Sequence, residues 1–159
     1  MFGLKKTKTK QELLAVQTGE IVALESLPDP VFAERVLGDG FAIDPVENRV
    51  YSPVAGKVVD VQDTFHAYAI HTDDGLDVLV HIGIDTVALQ GEGFSPKVKT
   101  GDKVKAGDLL CEADLALIKQ KGLPIYTVVL VTNIDSLKDF QVTCGEAVAR
   151  QTVAMTYTI

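Results

Sequence analysis

Short runs of β-branched and aromatic residues, each broken within a few positions by glycine, proline, aspartate or asparagine, leave this chain little choice but sheet. Strand patterns fall at residues 21–24, 41–43, 57–61, 66–71, 76–82, 103–104, 109–112, 125–132 and 152–158. One segment reads as helix, residues 114–121. Asp114 can cap it, Leu115 and Ile118 share a face, and Gly122 stops it. The sequence Lys99-Thr100-Gly101-Asp102 returns as Lys105-Ala106-Gly107-Asp108, which predicts a double bend. The expected fold is all-β: an antiparallel β-sandwich or barrel-sandwich hybrid with one or two short helices.

At 159 residues the chain suits one domain with a proper core, and 47 % apolar against 23 % charged residues excludes disorder. Residues 1–17 are expected to be a flexible N-terminal tail and residues 18–159 a single β-sandwich domain. The formal net charge of −7 excludes a nucleic-acid binder, because phosphates would be repelled, and favours basic protein partners. Cys111 and Cys144 form neither a disulfide framework nor a CxxC motif, so both are expected as buried free thiols in a reducing compartment. No secretory signal pattern opens the chain, and the apolar run at 125–131 is far too short to span a bilayer. A cytoplasmic location follows as the expectation. Lys5, Lys6, Lys8 and Lys10 sit in the tail with Phe2 and Leu4, which offers at most a weak contact with anionic lipid.

Chemistry concentrates in one hairpin. Residues 64–72 and 76–83 flank Asp73-Asp74-Gly75, good turn residues. A turn centred on Asp73 and Asp74 places His66 and His81 opposite each other, or diagonal if the register slips by one pair. Neighbours across a strand pair stand with Cβ atoms roughly 4.5–5.5 Å apart, close enough for two rings to share a ligand, a metal or a phosphoryl group. Alternation sets Val78, Val80 and Ile82 toward the core and His81 on the other face with Asp77 and Leu79. His66 is grouped with Tyr68 and Ile70, and His71 falls on the opposite face as a surface histidine. Gly83, just beyond His81, would let another protein approach the ring, or would simply end the strand.

An unperturbed imidazole is mostly neutral at pH 7 and keeps a lone pair for nucleophilic attack. Two rings side by side resist double protonation, so one nitrogen stays available. A phosphoryl group on one ring presents oxygens to the N–H of the other, which suits reversible phosphoryl transfer. A zinc hydrolase is the alternative from another class, with His66, His81 and Asp77 or Asp85 as ligands, although no compact metal motif is present.

The run from Gly75 through Leu76-Asp77-Val78-Leu79-Val80-His81-Ile82-Gly83-Ile84-Asp85-Thr86-Val87, then Leu89 and Gly91-Glu92-Gly93-Phe94, resembles the active-site signature of the glucose-type EIIA component of the bacterial phosphoenolpyruvate:sugar phosphotransferase system. Pro28-Asp29-Pro30-Val31-Phe32-Ala33-Glu34, Gly38-Asp39-Gly40, Thr64 with His66-Ala67, and Val131-Thr132-Asn133 are similar to further blocks of that family. The likeness covers residues 18–156. It implies a compact antiparallel β-sandwich with two histidines in a shallow depression. By the same resemblance His81 accepts phosphate from the phosphocarrier HPr and passes it to the EIIB component of a sugar permease. His66 is implied as the helper that orients the ring and holds the phosphoryl oxygens, and Thr64 as a hydroxyl in the same network. Val31, Phe32, Leu79 and Val87 match an apolar docking rim, and Asp29 and Asp85 match acidic contacts. No cofactor is implied, although His66 and His81 could hold an adventitious or partner-completed zinc. Members of the family also bind permeases or metabolic enzymes according to phosphorylation state, so a regulatory binding protein without onward transfer is the other alternative. Phe65 and Ala88 depart from the family pattern, standing where a smaller or polar residue and an acidic residue are expected.

Overall fold

The computed structural model describes residues 11–159. Its strands and α-helices run in the order β1 (Gln11–Leu14), β2 (Gly19–Val22), α1 (Pro30–Ala33), β3 (Asp39–Pro45), β4 (Arg49–Tyr51), β5 (Gly56–Val61), β6 (Ala67–His71), β7 (Asp77–Ile82), β8 (Phe94–Pro96), β9 (Lys103–Val104), β10 (Leu109–Ala113), α2 (Leu115–Gln120), β11 (Thr127–Val131), β12 (Asp139–Val142), β13 (Gly145–Ala147) and β14 (Val153–Thr158). Single 3-10 turns occupy Leu24–Ser26, Thr86–Leu89 and Ile134–Ser136.

An eight-stranded sheet in the order β13-β2-β3-β11-β7-β6-β5-β9 faces two three-stranded sheets, β1-β14-β12 and β4-β10-β8. The strand pairs are antiparallel. All three sheets share one core: Phe41, Val80 and Val129 meet Leu13 and Tyr157 from one small sheet and Val50 and Leu110 from the other. This is the sandwich expected from the strand spacing.

β11 is buried at every position because the large sheet is covered on both faces. Val129 and Val131 point into the main core. Val128 and Leu130 point outward into a smaller cluster with Leu24, Leu27, Phe32, Ala42 and Ile84, roofed by the 3-10 turn Leu24–Ser26 and by α1. That second cluster covers part of the outer face of the large sheet, with Leu79 of β7 packed against it.

Two expectations need correction. The domain begins before residue 18. β1 pairs with β14 from Gln11↔Tyr157 to Leu14↔Val153, and Leu13 is fully buried. A four-residue strand with two polar members gives no period strong enough to read, and only its partner strand reveals it. The lysine-rich segment 1–10, with its suggested lipid contact, lies outside the described residues. Cys111 is buried as expected, but Cys144 is exposed in the turn between β12 and β13.

The turn chemistry holds in detail. Asp102 and Asp108 each accept from the backbone N–H three residues back, at Lys99 (3.0 Å) and Lys105 (2.8 Å), so the repeated tetrapeptide folds twice in the same way. The Asp114 side chain caps α2 by accepting from the Leu117 N–H. α1 is too short to show a helical period in the sequence: Pro30 occupies its first turn, and the Asp29 carboxylate accepts from the Val31 N–H at 2.8 Å.

Candidate functional site

The hairpin formed by β6 and β7 is one pair out of the symmetric register. His71 opposes Asp77 and Ala67 opposes His81, so His66 lies diagonal to His81. The shift comes from the turn. Leu76 and Thr72 are bonded twice: the Thr72 N–H donates to the Leu76 carbonyl (2.9 Å) and the Leu76 N–H donates to Thr72 Oγ1 (2.8 Å). Residues 72–76 therefore form a five-residue loop centred on Asp74. Asn133 locks it, donating to the Gly75 carbonyl (2.9 Å) and accepting from the Asp77 N–H (2.9 Å).

The two histidine rings converge. Their centroids are 4.9 Å apart at an interplanar angle of 82°, an edge-to-face pair. Strand alternation carried one residue back from Ala67 would send His66 into the core beside Tyr68 and Ile70, both fully buried. The chain leaves strand geometry at Phe65, whose φ is +59°, and the His66 ring comes to His81 instead. Grouping His66 with Tyr68 and Ile70 on one face is thereby corrected, as is the setting of His71 on the opposite face, although His71 lies at the surface as expected. His71 shares the outer face with Asp77, and its ring nitrogen lies 2.6 Å from the Asp77 carboxylate.

Each ring is held by one nitrogen. His81 Nδ1 donates to the Gly83 carbonyl at 2.8 Å, because a carbonyl can only accept. Nε2 of His81 therefore carries the lone pair. His66 Nδ1 is 2.6 Å from Thr64 Oγ1. When the hydroxyl donates there, the N–H of His66 sits on Nε2, free to donate in its turn. His66 is 6 % exposed, and its pKa is pushed down to about 4, first by burial and then by its neighbour His81. Burial also lowers His81, against the opposing pull of the Gly83 carbonyl, Asp29 and Asp85. Both rings are thus neutral at pH 7, with a lone pair on Nε2 of His81 and, when the Thr64 hydroxyl donates, an N–H on Nε2 of His66.

Gly83 serves the site from within. Its φ is +75°, and a side chain there would collide with Thr86 Cγ2. That turn aims the Gly83 carbonyl back at His81, so the glycine is an anchor for the ring rather than only an opening for a visitor. Thr86 donates to the Ile82 carbonyl at 2.5 Å and pins the same corner.

The candidate docking residues divide. Val31 and Val87 are exposed at 42 % and 55 %, Leu79 is half-buried against the small cluster, and the carboxylates of Asp29 and Asp85 bear on His81. Phe32 is 5 % exposed and packs edge-on to His81 with ring centroids 5.1 Å apart. It is a core residue that props the ring and offers a partner almost no surface. Val36 and Leu37, which follow α1, are exposed large apolar residues outside the expected docking set. Their side-by-side position before Gly38-Asp39-Gly40 was the available signal. Among the described residues no group of three histidine, cysteine, aspartate or glutamate side chains is placed to hold a metal ion. Asp77 turns to His71 and does not complete a hydrolase centre.

Residues 11–137 match the family model described as phosphoenolpyruvate-dependent sugar phosphotransferase system, EIIA 1. The glucose-specific EIIA component of Halalkalibacterium halodurans is 47 % identical over 149 residues, 89 % of this chain and 86 % of that protein. The one from Buchnera aphidicola is 42 % identical, covering 98 % and 94 %. The glucose-specific EIICBA component of Streptococcus pneumoniae is 46 % identical over 145 residues, 91 % of this chain but 20 % of that longer protein. The solved glucose permease IIA from Mycoplasma capricolum superposes with a TM-score of 0.87 at 40 % identity, over 92 % of this chain and 96 % of that one.

Proposed function

The chain belongs to the EIIA 1 family of the phosphoenolpyruvate-dependent sugar phosphotransferase system, and from that premise we propose that His81 is the residue on which it carries a phosphoryl group. The protein is a phosphotransferase of that system, a phosphoryl carrier. The observation that supports His81 is the commitment of its Nδ1 to the Gly83 carbonyl, which leaves Nε2 as the base beside the His66 ring.

In the forward step the Nε2 lone pair of His81 attacks the phosphorus of a phosphohistidine on HPr. The new N–P bond forms as the old one breaks, and the departing imidazole keeps the electron pair. No proton need move at His81, because its N–H is already on Nδ1. The His66 Nε2–H donates to a phosphoryl oxygen, while the Thr64 hydroxyl holds His66 in the tautomer that can do so. Such donors act chiefly by positioning and by charge stabilisation. The return step delivers the group to the EIIB component of a permease. The names of the relatives point to a glucose permease as that outlet. Asp29 and Asp85 suit a partner that carries arginines around its own histidine, and Val31, Leu79 and Val87 supply apolar contact. The protein works in the cytoplasm on this view; no helix among the described residues is long and apolar enough to cross a membrane. Transfer between imidazoles needs no resident cofactor, and zinc at the pair would find two ligands and take the rest from a partner.

Labelled phospho-HPr tests the assignment. Wild type is expected to take one phosphoryl group that is acid-labile and base-stable. His81→Ala should take none. His66→Ala should still be labelled but should pass the group to EIIB more slowly, on the order of 100-fold. Normal transfer by both variants would rule the pair out.

A further inference from the structure

We infer that Phe65 is a positioning residue that sets the spacing of the two histidine rings. The inference rests on the proposed role of His66 as the donor to the phosphoryl group. Phe65 lies between Thr64 and His66 with φ +59°, a left-handed conformation in which a bulky side chain is an outlier. Asparagine or glycine would adopt it with less strain. An aromatic residue there must be held by what its ring and backbone touch.

Three contacts hold it. The Phe65 N–H donates to the Gln62 carbonyl (2.8 Å), and the Gln62 N–H donates to the Ala67 carbonyl (3.0 Å), so the loop before β6 is closed on itself. The buried thiol of Cys111 on β10 lies 3.9 Å from the Phe65 carbonyl, beneath the loop. The Phe65 ring is partly buried against the main core and lies over Gly91, where a Cβ would stand 3.5 Å from Cδ2. Gly91 belongs to the segment that follows His81 and also carries Asp85, Thr86 and Val87. The ring therefore joins the loop bearing Thr64 and His66 to the loop that leaves His81. Without it the bond from the Ile82 N–H to the His66 carbonyl (2.7 Å) and each loop's own hydrogen bonds remain, but the ring's contact over Gly91 is lost.

The expected consequence is selective. Loosening His66 leaves His81 Nε2 its lone pair, so acceptance persists, while the step that needs the His66 donor slows. Phe65→Asn suits the left-handed backbone and lacks the ring, so it is the variant with least risk to folding. Phe65→Tyr restores the ring. The measurement is the kcat and KM of transfer to EIIB, together with the ring-nitrogen NMR shifts of His66 in the unphosphorylated protein. Phe65→Asn should lower kcat about tenfold with little change in KM, move the His66 nitrogens toward a mixture of tautomers, and be rescued by Phe65→Tyr. Wild-type kcat and unchanged His66 shifts in Phe65→Asn would overturn the inference, as would a change confined to KM, which would make Phe65 a docking contact. Failure of the underlying assignment would show separately, as normal transfer in His66→Ala.

Discussion

Thr64 sets the tautomer of His66 when its hydroxyl is the donor. Its hydroxyl sits 2.6 Å from Nδ1, and donation there is what leaves a proton on Nε2. Thr64→Val keeps the shape and removes the hydroxyl, so labelling of His81 should hold while transfer to EIIB falls roughly tenfold, less than for loss of His66 because Thr64 acts only through that ring. The burial that keeps His66 neutral also has a pH signature. Its pKa falls from an unfolded value near 6.5 to about 4, so the unfolded chain binds the extra proton between those limits. Stability from this group is complete above about pH 6.5 and is lost as pH falls toward 4, by roughly 1–3 kcal/mol. Melting curves across that range should show the loss, and His66→Gln should flatten it.

At the scale of elements, the local signals served where the physics is local. α2 was legible because its cap, apolar face and terminating glycine lie within nine residues of one another. The repeated Gly-Asp turns were legible for the same reason. The hairpin was legible in kind but not in register, because one residue more or less in its loop depends on Thr72, Leu76 and the distant Asn133. Gly83 shows how an element end becomes chemistry. Its left-handed turn returns a carbonyl to His81, and the Thr86 methyl fills the space a side chain would need. Gly83→Ala should cost about 1–3 kcal/mol in chemical denaturation and slow labelling of His81, since strain at the corner and loss of the anchor go together.

The whole molecule decides where the domain starts and what its two faces do. Leu13 belongs to a strand too short to recognise alone, yet it lies in the core shared by all three sheets. Leu13→Ala should destabilise by roughly 2–5 kcal/mol, the usual range for emptying a core leucine site, as read from denaturant midpoints. If residues 11–17 were a loose tail the cost would be near zero. The second, smaller cluster has the opposite lesson for the site. Phe32 was a docking candidate by its place in a motif; packing drew it under His81, and left Val31, Val36 and Leu37 on the outside.

The sequence by itself determined the fold class, the hairpin that carries the two histidines and the acidic balance of the chain, a formal net charge of −7. Those follow from period, turn residues and charge, which are properties of neighbours along the chain. Only the tertiary structure decided that His66 would leave the alternation of its strand to meet His81, which nitrogen of each ring would be tied down, and which apolar residues would face outward. Each of those outcomes depends on groups brought from far along the chain, Gly91 against Phe65, Asn133 against the hairpin loop and β14 against β1, and no local pattern encodes contacts of that kind.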